Sequence, residues 1–313
     1  MRVRPTKAEN PRIQALILSP TRELAKQIGK ELFRFSKFCD PKIFIEVVCG
    51  GEPIPDQIRS LRRPTHIVVA TPGRLIDLLG KKAIDISAIH TLVLDEADEI
   101  LKQGFKEQVR EVLEFTGQTR RSTWLFSATL PDGIQRLIRT HMNPDAKRVE
   151  IDSRSIVNRS ITHKFQLCEN QERTMSISDY ITARDPDERG VVFCRTRAGV
   201  VALARSLERD DIEVGVLHGD MSQQEREKVM RAIRKGRIQV LVSTDVSARG
   251  IDVEGLAFVL HDQLPEQADW YLHRSGRTGR AGRKGESVAF IHPKERKKMQ
   301  AWGRILGIVF SEI

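Results

Sequence analysis

A chain of 313 residues with 40% hydrophobic content is long enough for two domains of ordinary size, each burying its own core. No apolar run approaches the roughly eighteen residues needed to cross a bilayer, which excludes a helical membrane span. The four cysteines (Cys39, Cys49, Cys168, Cys194) form no CxxC pair, and with no apolar leader they predict a reduced, cytoplasmic protein. The net charge of +10 divides as +6 over residues 1–150 and +4 over 151–313, so neither half is a basic tail. Such a distribution suits a polyanion lying across both halves, although many basic proteins bind no nucleic acid. At 5% aromatic content, contact with a sugar-phosphate backbone is favoured over base-stacking platforms.

Short apolar runs recur in chain order: ALIL (15–18), FIEVV (44–48), HIVVA (66–70), TLVLD (91–95) and TWLF (123–126). Strands buried on both faces of a parallel sheet read this way, and the polar, periodic stretches between them read as helices. The beat restarts after Glu150 with VVFC (191–194), VGVL (214–217), QVLV (239–242), AFVL (257–260) and SVAFI (287–291). The pattern predicts an α/β protein of two doubly wound parallel-sheet domains, residues 1–151 and 161–313. DSRSIVNRS (152–160) is polar and aperiodic, as a linker would be, or a surface loop of one larger sheet. A short basic, partly apolar helical stretch follows His292.

Ligands of such sheets lie beyond the carboxyl ends of the strands. After ALIL comes Ser19-Pro20-Thr21-Arg22, and after HIVVA comes Thr71-Pro72-Gly73-Arg74. In each, a hydroxyl residue can cap a helix, Pro can occupy its first position, and Arg follows two residues later. A helix N-terminus with an added Arg is a phosphate site, but the same residues also describe two well-capped helices with solvated arginines. Gly50-Gly51 marks a turn or a close backbone approach. In LVLDEAD the strand ends at Asp95, placing Asp95 and Glu96 at the sheet edge. Two carboxylates there suit Mg²⁺, with the neighbouring acid orienting a water, and they equally suit an acidic first helical turn.

In the second half, VLVSTDVSARGID (240–252) runs off a strand into Thr244, Asp245, Arg249, Gly250 and Asp252. HRSGRTGR (273–280) then repeats Arg at 274, 277 and 280, a spacing that on successive helical turns aims three guanidiniums to one side. Gly276 and Gly279 disfavour a plain amphipathic helix, which favours an anion site. An arginine offered from one domain to a phosphoryl group on another is an arginine-finger arrangement.

PTRELA (20–25), GG (50–51), TPGR (71–74), DEAD (95–98), SAT (127–129), VVFCRT (191–196), HGDMSQQER (218–226), STDVSARGID (243–252) and HRSGRTGR (273–280) closely resemble, in order, the signatures of the DEAD-box RNA helicases. The resemblance covers almost the whole chain and implies two tandem RecA-like domains, with ATP and Mg²⁺ as cofactors and RNA as the partner. It implies Mg²⁺ coordination by Asp95, water activation by Glu96, and fingers at Arg277 and Arg280. By the same resemblance Gly250 and Asp252 meet the nucleotide, while Ser127, Thr129, His273 and Arg274 couple hydrolysis to RNA binding. Arg22, Gly51, Thr71, Arg74, Arg195, Gln223, Arg226 and Thr244 hold RNA.

The family also places G-x-x-x-x-G-K-[ST] on a strand ahead of PTRELA, with an adenine-reading Q motif before it. Only MRVRPTKAENPRIQ precedes ALIL here. A P-loop supplies the N–H cradle, a neutralising Lys and a hydroxyl for Mg²⁺, so without it most of the nucleotide site is missing. The first domain is therefore expected to be incomplete at its N-terminus, with unpaired strand edges and uncovered apolar faces. Two functions follow: an ATP-dependent RNA helicase, inactive as this chain, or a non-catalytic RNA-binding remnant or regulator.

Overall fold

The computed structural model describes residues 12–116, 121–150, 160–245, 255–280 and 282–313. The chain forms two compact units, Met1–Arg148 and Val149–Ile313. Residues 152–159 of the expected linker lie outside the described residues, and Ser160 is a turn leading into a strand.

Unit 1 holds β1 (Ala15–Leu18), β2 (Ile45–Val48), β3 (Ile67–Ala70), β4 (Thr91–Leu94) and β5 (Ser122–Leu125), ordered β2-β3-β1-β4-β5. All its recorded pairings are parallel. Helices α1 (Arg22–Ser36), α2 (Ile54–Leu61), α3 (Pro72–Gly80), α4 (Ala97–Lys102), α5 (Lys106–Phe115) and α6 (Asp132–His141) follow the strands. Side chains alternate along β1, so Leu16 and Leu18 face one apolar layer with Leu75, Leu78, Val112 and Ile134. Ala15 and Ile17 face the other, against Ala25 and Ile28 of α1. Leu75 and Leu78 are fully buried, each contributing about 1.5–3 kcal/mol by leaving water.

Among the described residues β5 ends this sheet, and its burial alternates, leaving Trp124 at 54% and Phe126 at 53% exposure.

Unit 2 holds β6 (Ile161–Leu167), β7 (Gly190–Cys194), β8 (Val214–Leu217), β9 (Val240–Thr244), β10 (Phe258–His261), β11 (Gly285–Ile291) and β12 (Phe310–Glu312). They form one parallel sheet, ordered β12-β6-β11-β10-β7-β9-β8. Its helices are α7 (Arg173–Thr182), α8 (Arg197–Arg209), α9 (Gln223–Arg234), α10 (Ala268–Ser275) and α11 (Arg296–Leu306).

Two strands are not marked by apolar runs in the sequence. β6 reads ITHKFQL, polar at every second position, because one face is only partly covered. β12 is three residues long and is held through its pairing with β6. No helix among the described residues is long and apolar enough to cross a membrane.

Candidate nucleotide and nucleic-acid site

Register places the unit 1 residues side by side. Leu18 of β1 pairs with Ala70 of β3 and with Leu94 of β4, so Ser19, Thr71 and Asp95 leave the sheet together at its carboxyl edge. Backbone bonds continue past the strands: Ser19 N donates to Ala70 O (3.0 Å), Asp95 N to Leu18 O (2.9 Å) and Thr71 N to Val48 O (3.1 Å).

The two SPTR-like devices differ in detail. α1 is capped by Thr21, whose Oγ1 accepts from Leu24 N at 3.3 Å, so Ser19 is not the cap and Pro20 lies ahead of the helix. α3 has Thr71 at its N-cap and Pro72 first, as expected, but Thr71 makes no side-chain cap bond. The arginines do not stretch into solvent. Arg74 is 9% exposed and donates from Nη1 to Glu52 O at 2.9 Å. Arg22 packs across Gly50-Gly51, and a Cβ on Gly51, whose φ is +80°, would overlap its guanidinium. Glu52 also takes Lys26 Nζ at 2.8 Å and Gln57 Nε2 at 3.2 Å. One turn thus gathers Arg22, Gly51 and Arg74, with Thr71 beside them on the adjoining strand end.

At β4 the carboxylates take distinct settings. Asp95 is pushed above the usual carboxylate range by burial, and its Oδ1 accepts Glu96 N at 3.0 Å. Glu96 sits at φ 48°, ψ 52°, a left-handed conformation that costs a non-glycine residue about 1 kcal/mol or more. Asp98, only 1% exposed, accepts Thr129 Oγ1 at 2.7 Å, while its amide donates to Ser127 Oγ at 3.2 Å. Ser127 Oγ donates in turn to Thr129 O at 2.6 Å. Asp98 was absent from the sequence-derived candidates. A third acid in a run of four gives no sign of pointing inward, and only the helical position of α4 reveals it.

Among the described residues no group of three or more His, Cys, Asp or Glu gathers to hold a metal. A cation at Asp95 would therefore need water and substrate oxygens as well, the habit of Mg²⁺. The desolvated Asp95 carboxylate fits that role, because a nearby positive charge favours its ionised form.

In unit 2, Cys194 pairs with Thr244, which sets Arg195 beside the end of β9. Arg195 donates from Nη2 to Leu264 O at 3.0 Å. Gln223 and Arg226 lie in the first turn of α9, where Ser222 and Glu225 form a reciprocal capping box. Gly250 and Asp252, with Arg249, lie outside the described residues.

HRSGRTGR does not form the expected ladder of arginines, because α10 stops at Ser275 with Gly276 as its C-cap. Arg274 is 3% exposed and turns inward, donating to Asp245 from Nε at 2.5 Å and Nη2 at 2.6 Å, and from Nη1 to Gln263 O at 3.1 Å. Arg277 Nε donates to His273 O at 3.2 Å and Arg280 Nε to Gly276 O at 2.8 Å, so both are half-buried in the turns beyond the helix. Asp245, which fixes Arg274, likewise carried no sequence sign of its partner.

Comparison with known proteins places these arrangements. Residues 3–137 match the DEAD/DEAH box helicase family and residues 172–282 the helicase conserved C-terminal domain. The ATP-dependent RNA helicase CshA of Limosilactobacillus reuteri is 39% identical over 287 residues, covering 92% of this chain and 57% of that protein. CshA of Geobacillus kaustophilus is 36% identical over 92% of this chain and 60% of that protein, so the chain spans less than two thirds of these relatives. A DEAD box protein from Methanococcus jannaschii is 34% identical, covering 97% of this chain and 81% of that one, with a TM-score of 0.53. Saccharomyces cerevisiae Dbp5 bound to RNA and ADP BeF3 superposes with a TM-score of 0.86 at 29% identity, over 98% of this chain and 79% of that one. Two RecA-like parallel-sheet units, one carrying DEAD at a strand end and the other HRSGRTGR at the end of α10, and matching relatives across both units, make this chain a member of the DEAD-box helicase family.

Proposed function

We propose that the protein to which these residues belong is a cytoplasmic, ATP-dependent RNA helicase that binds the RNA backbone with little sequence specificity. The observation that carries this reading is the linkage of Asp98 to Ser127 and Thr129 beside Asp95 and Glu96. It ties the acidic strand end to the segment following β5. Mg²⁺, when bound, supplies positive charge to the nucleotide phosphates, and Asp95 is the side chain that holds it. Glu96, fixed in its left-handed turn, orients the attacking water. Arg277 and Arg280 neutralise developing charge on the phosphoryl group, and Gly250 and Asp252 contact the nucleotide. His273 and Arg274, with Ser127 and Thr129, couple that chemistry to RNA. Arg22, Gly51, Thr71 and Arg74 hold phosphates on unit 1, and Arg195, Gln223, Arg226 and Thr244 do so on unit 2.

The 313 residues contain no G-x-x-x-x-G-K-[ST], so as this chain they hydrolyse ATP negligibly, lacking several phosphate contacts that stabilise the transition state. A second reading, a non-catalytic RNA-binding chain or regulator, draws on that same feature. The retained geometry at Glu96 favours the first, because RNA binding alone gives no reason to hold a strained glutamate there. Single-stranded RNA binding by the chain, compared with an Arg22→Gln, Arg74→Gln variant, tests the shared part. Unchanged affinity would remove the unit 1 RNA assignment.

A further inference from the structure

The carboxyl edge of the unit 2 sheet carries a second feature that shares only Arg195 with the helicase signatures. Beyond β6, β7, β10 and β11 lies an open basin of about 390 Å³ lined by Arg173, Arg195, Lys294, Asn170, Gln263, His292 and Glu295. Arg173 is the first residue of α7 and only 7% exposed, so a guanidinium is buried at the start of a ten-residue helix with no side-chain cap. Its Nη2 donates to Asn170 Oδ1 at 2.9 Å, yet its buried Nε has no hydrogen-bond partner. A buried donor left unmade costs about 1–3 kcal/mol, more on a charged group, unless a ligand completes it.

The acids near the basin are already engaged. Glu295 Oε2 accepts His292 N at 3.2 Å, and Glu169 pairs with His292 Nε2 at 2.9 Å. Asp262 lies behind, its carboxyl pushed up by burial and drawn back down chiefly by Arg173. Arg195 and Lys294 add two further cations, so the basin presents positive charge and N–H donors to whatever enters it.

We propose that this basin is an anion subsite that takes one phosphate group, held by Arg173 and steered by Arg195 and Lys294. The group is either a backbone phosphate of an RNA strand continuing past Arg195, or a phosphate of a small free polyphosphate. The subsite shares only Arg195 with the proposed RNA site and stands whether or not the chain is a helicase.

The test is a titration of the full chain, isotopically labelled, with inorganic phosphate against sodium chloride of matched ionic strength, followed by amide nuclear magnetic resonance. Saturable shifts confined to residues 170–173 and 293–295 are expected. Lys294→Glu, an exposed position, should weaken them about tenfold, the effect of losing one charge-assisted partner. Arg173→Gln combined with Asp262→Asn, which removes the buried cation together with its carboxylate, should abolish them. Non-saturating shifts, shifts equal in chloride, or an unchanged response in Lys294→Glu would overturn the proposal. Single-stranded RNA displacing bound phosphate would support the subsite as part of an RNA path. Tripolyphosphate binding more tightly, with RNA leaving it in place, would support it as a site for a free polyphosphate. Because inorganic phosphate requires neither RNA nor ATP, failure of this site is distinguishable from failure of the helicase reading.

Discussion

Replacing Thr129 with Val removes one hydroxyl from a carboxylate that is almost wholly buried. Thr129 Oγ1 donates to Asp98 Oδ2 at 2.7 Å, and Asp98 is 1% exposed. A hydrogen bond to a charged group contributes about 1.5–3 kcal/mol. Lys102 Nζ, 3.7 Å from the same oxygen, remains to offset part of the loss, so a cost of about 2 kcal/mol is expected. Asp98→Asn alone weakens both interactions, and in the double variant the Thr129 contribution should largely vanish. Urea unfolding followed by amide exchange of β4 isolates unit 1 from unit 2 in this measurement. A coupling energy of about 1.5–3 kcal/mol would establish the bond as the link between the acidic turn and the segment after β5. A coupling below about 0.5 kcal/mol, the scatter between independent sites, would refute it.

Four further outcomes follow from the same geometry. Burial pushes His163 down to about 4 and His261 well below 6.5, so both are neutral in the folded unit. A histidine with a depressed folded value contributes stability above its unfolded value, and unit 2 should lose stability as pH falls from 6.5 toward about 4; His163→Asn should flatten that limb of a pH-dependent unfolding series. Asp95 has the opposite sign: burial raises its value, so its ionised form opposes folding, and Asp95→Asn should stabilise unit 1 at neutral pH while the gain shrinks on acidification. Arg274→Met should cost about 3–5 kcal/mol in unit 2, by leaving Asp245 without its bidentate partner, and Arg274→Lys less. Gly51→Ala should destabilise unit 1 by about 1 kcal/mol in urea unfolding and lower its RNA affinity, since the methyl displaces Arg22.

The strands that could be read from sequence were those buried on both faces. ALIL gave β1 and HIVVA all of β3 with His66 in excess, whereas the alternating ITHKFQL of β6 and the short β12 were silent because their stability comes from pairing. The same limit holds at the site. Register could place Ser19, Thr71 and Asp95 at one edge once the strands were known, since chain order and parallel pairing bring strand ends together. Side-chain direction could not be read. Three arginines at spacing three suggested one helical face, but Gly276 ends α10, and the side chains disperse to Asp245, His273 O and Gly276 O. The roles of Asp98 and Asp245 could not be read because a buried acid is identified by its partner, and those partners are 31 and 29 residues away.

The central claim is that Asp95 and Glu96 belong to an ATP-hydrolysing, RNA-stimulated machine whose phosphate cradle is not among these 313 residues. RNA-stimulated ATP hydrolysis by this chain, beside a version extended upstream with a Q motif and P-loop, measures it directly when each is also made with Glu96→Gln. The account predicts turnover in the extended protein alone and its loss in the Glu96→Gln form. Turnover by the chain as it stands, or extended-protein turnover that survives Glu96→Gln, would contradict it.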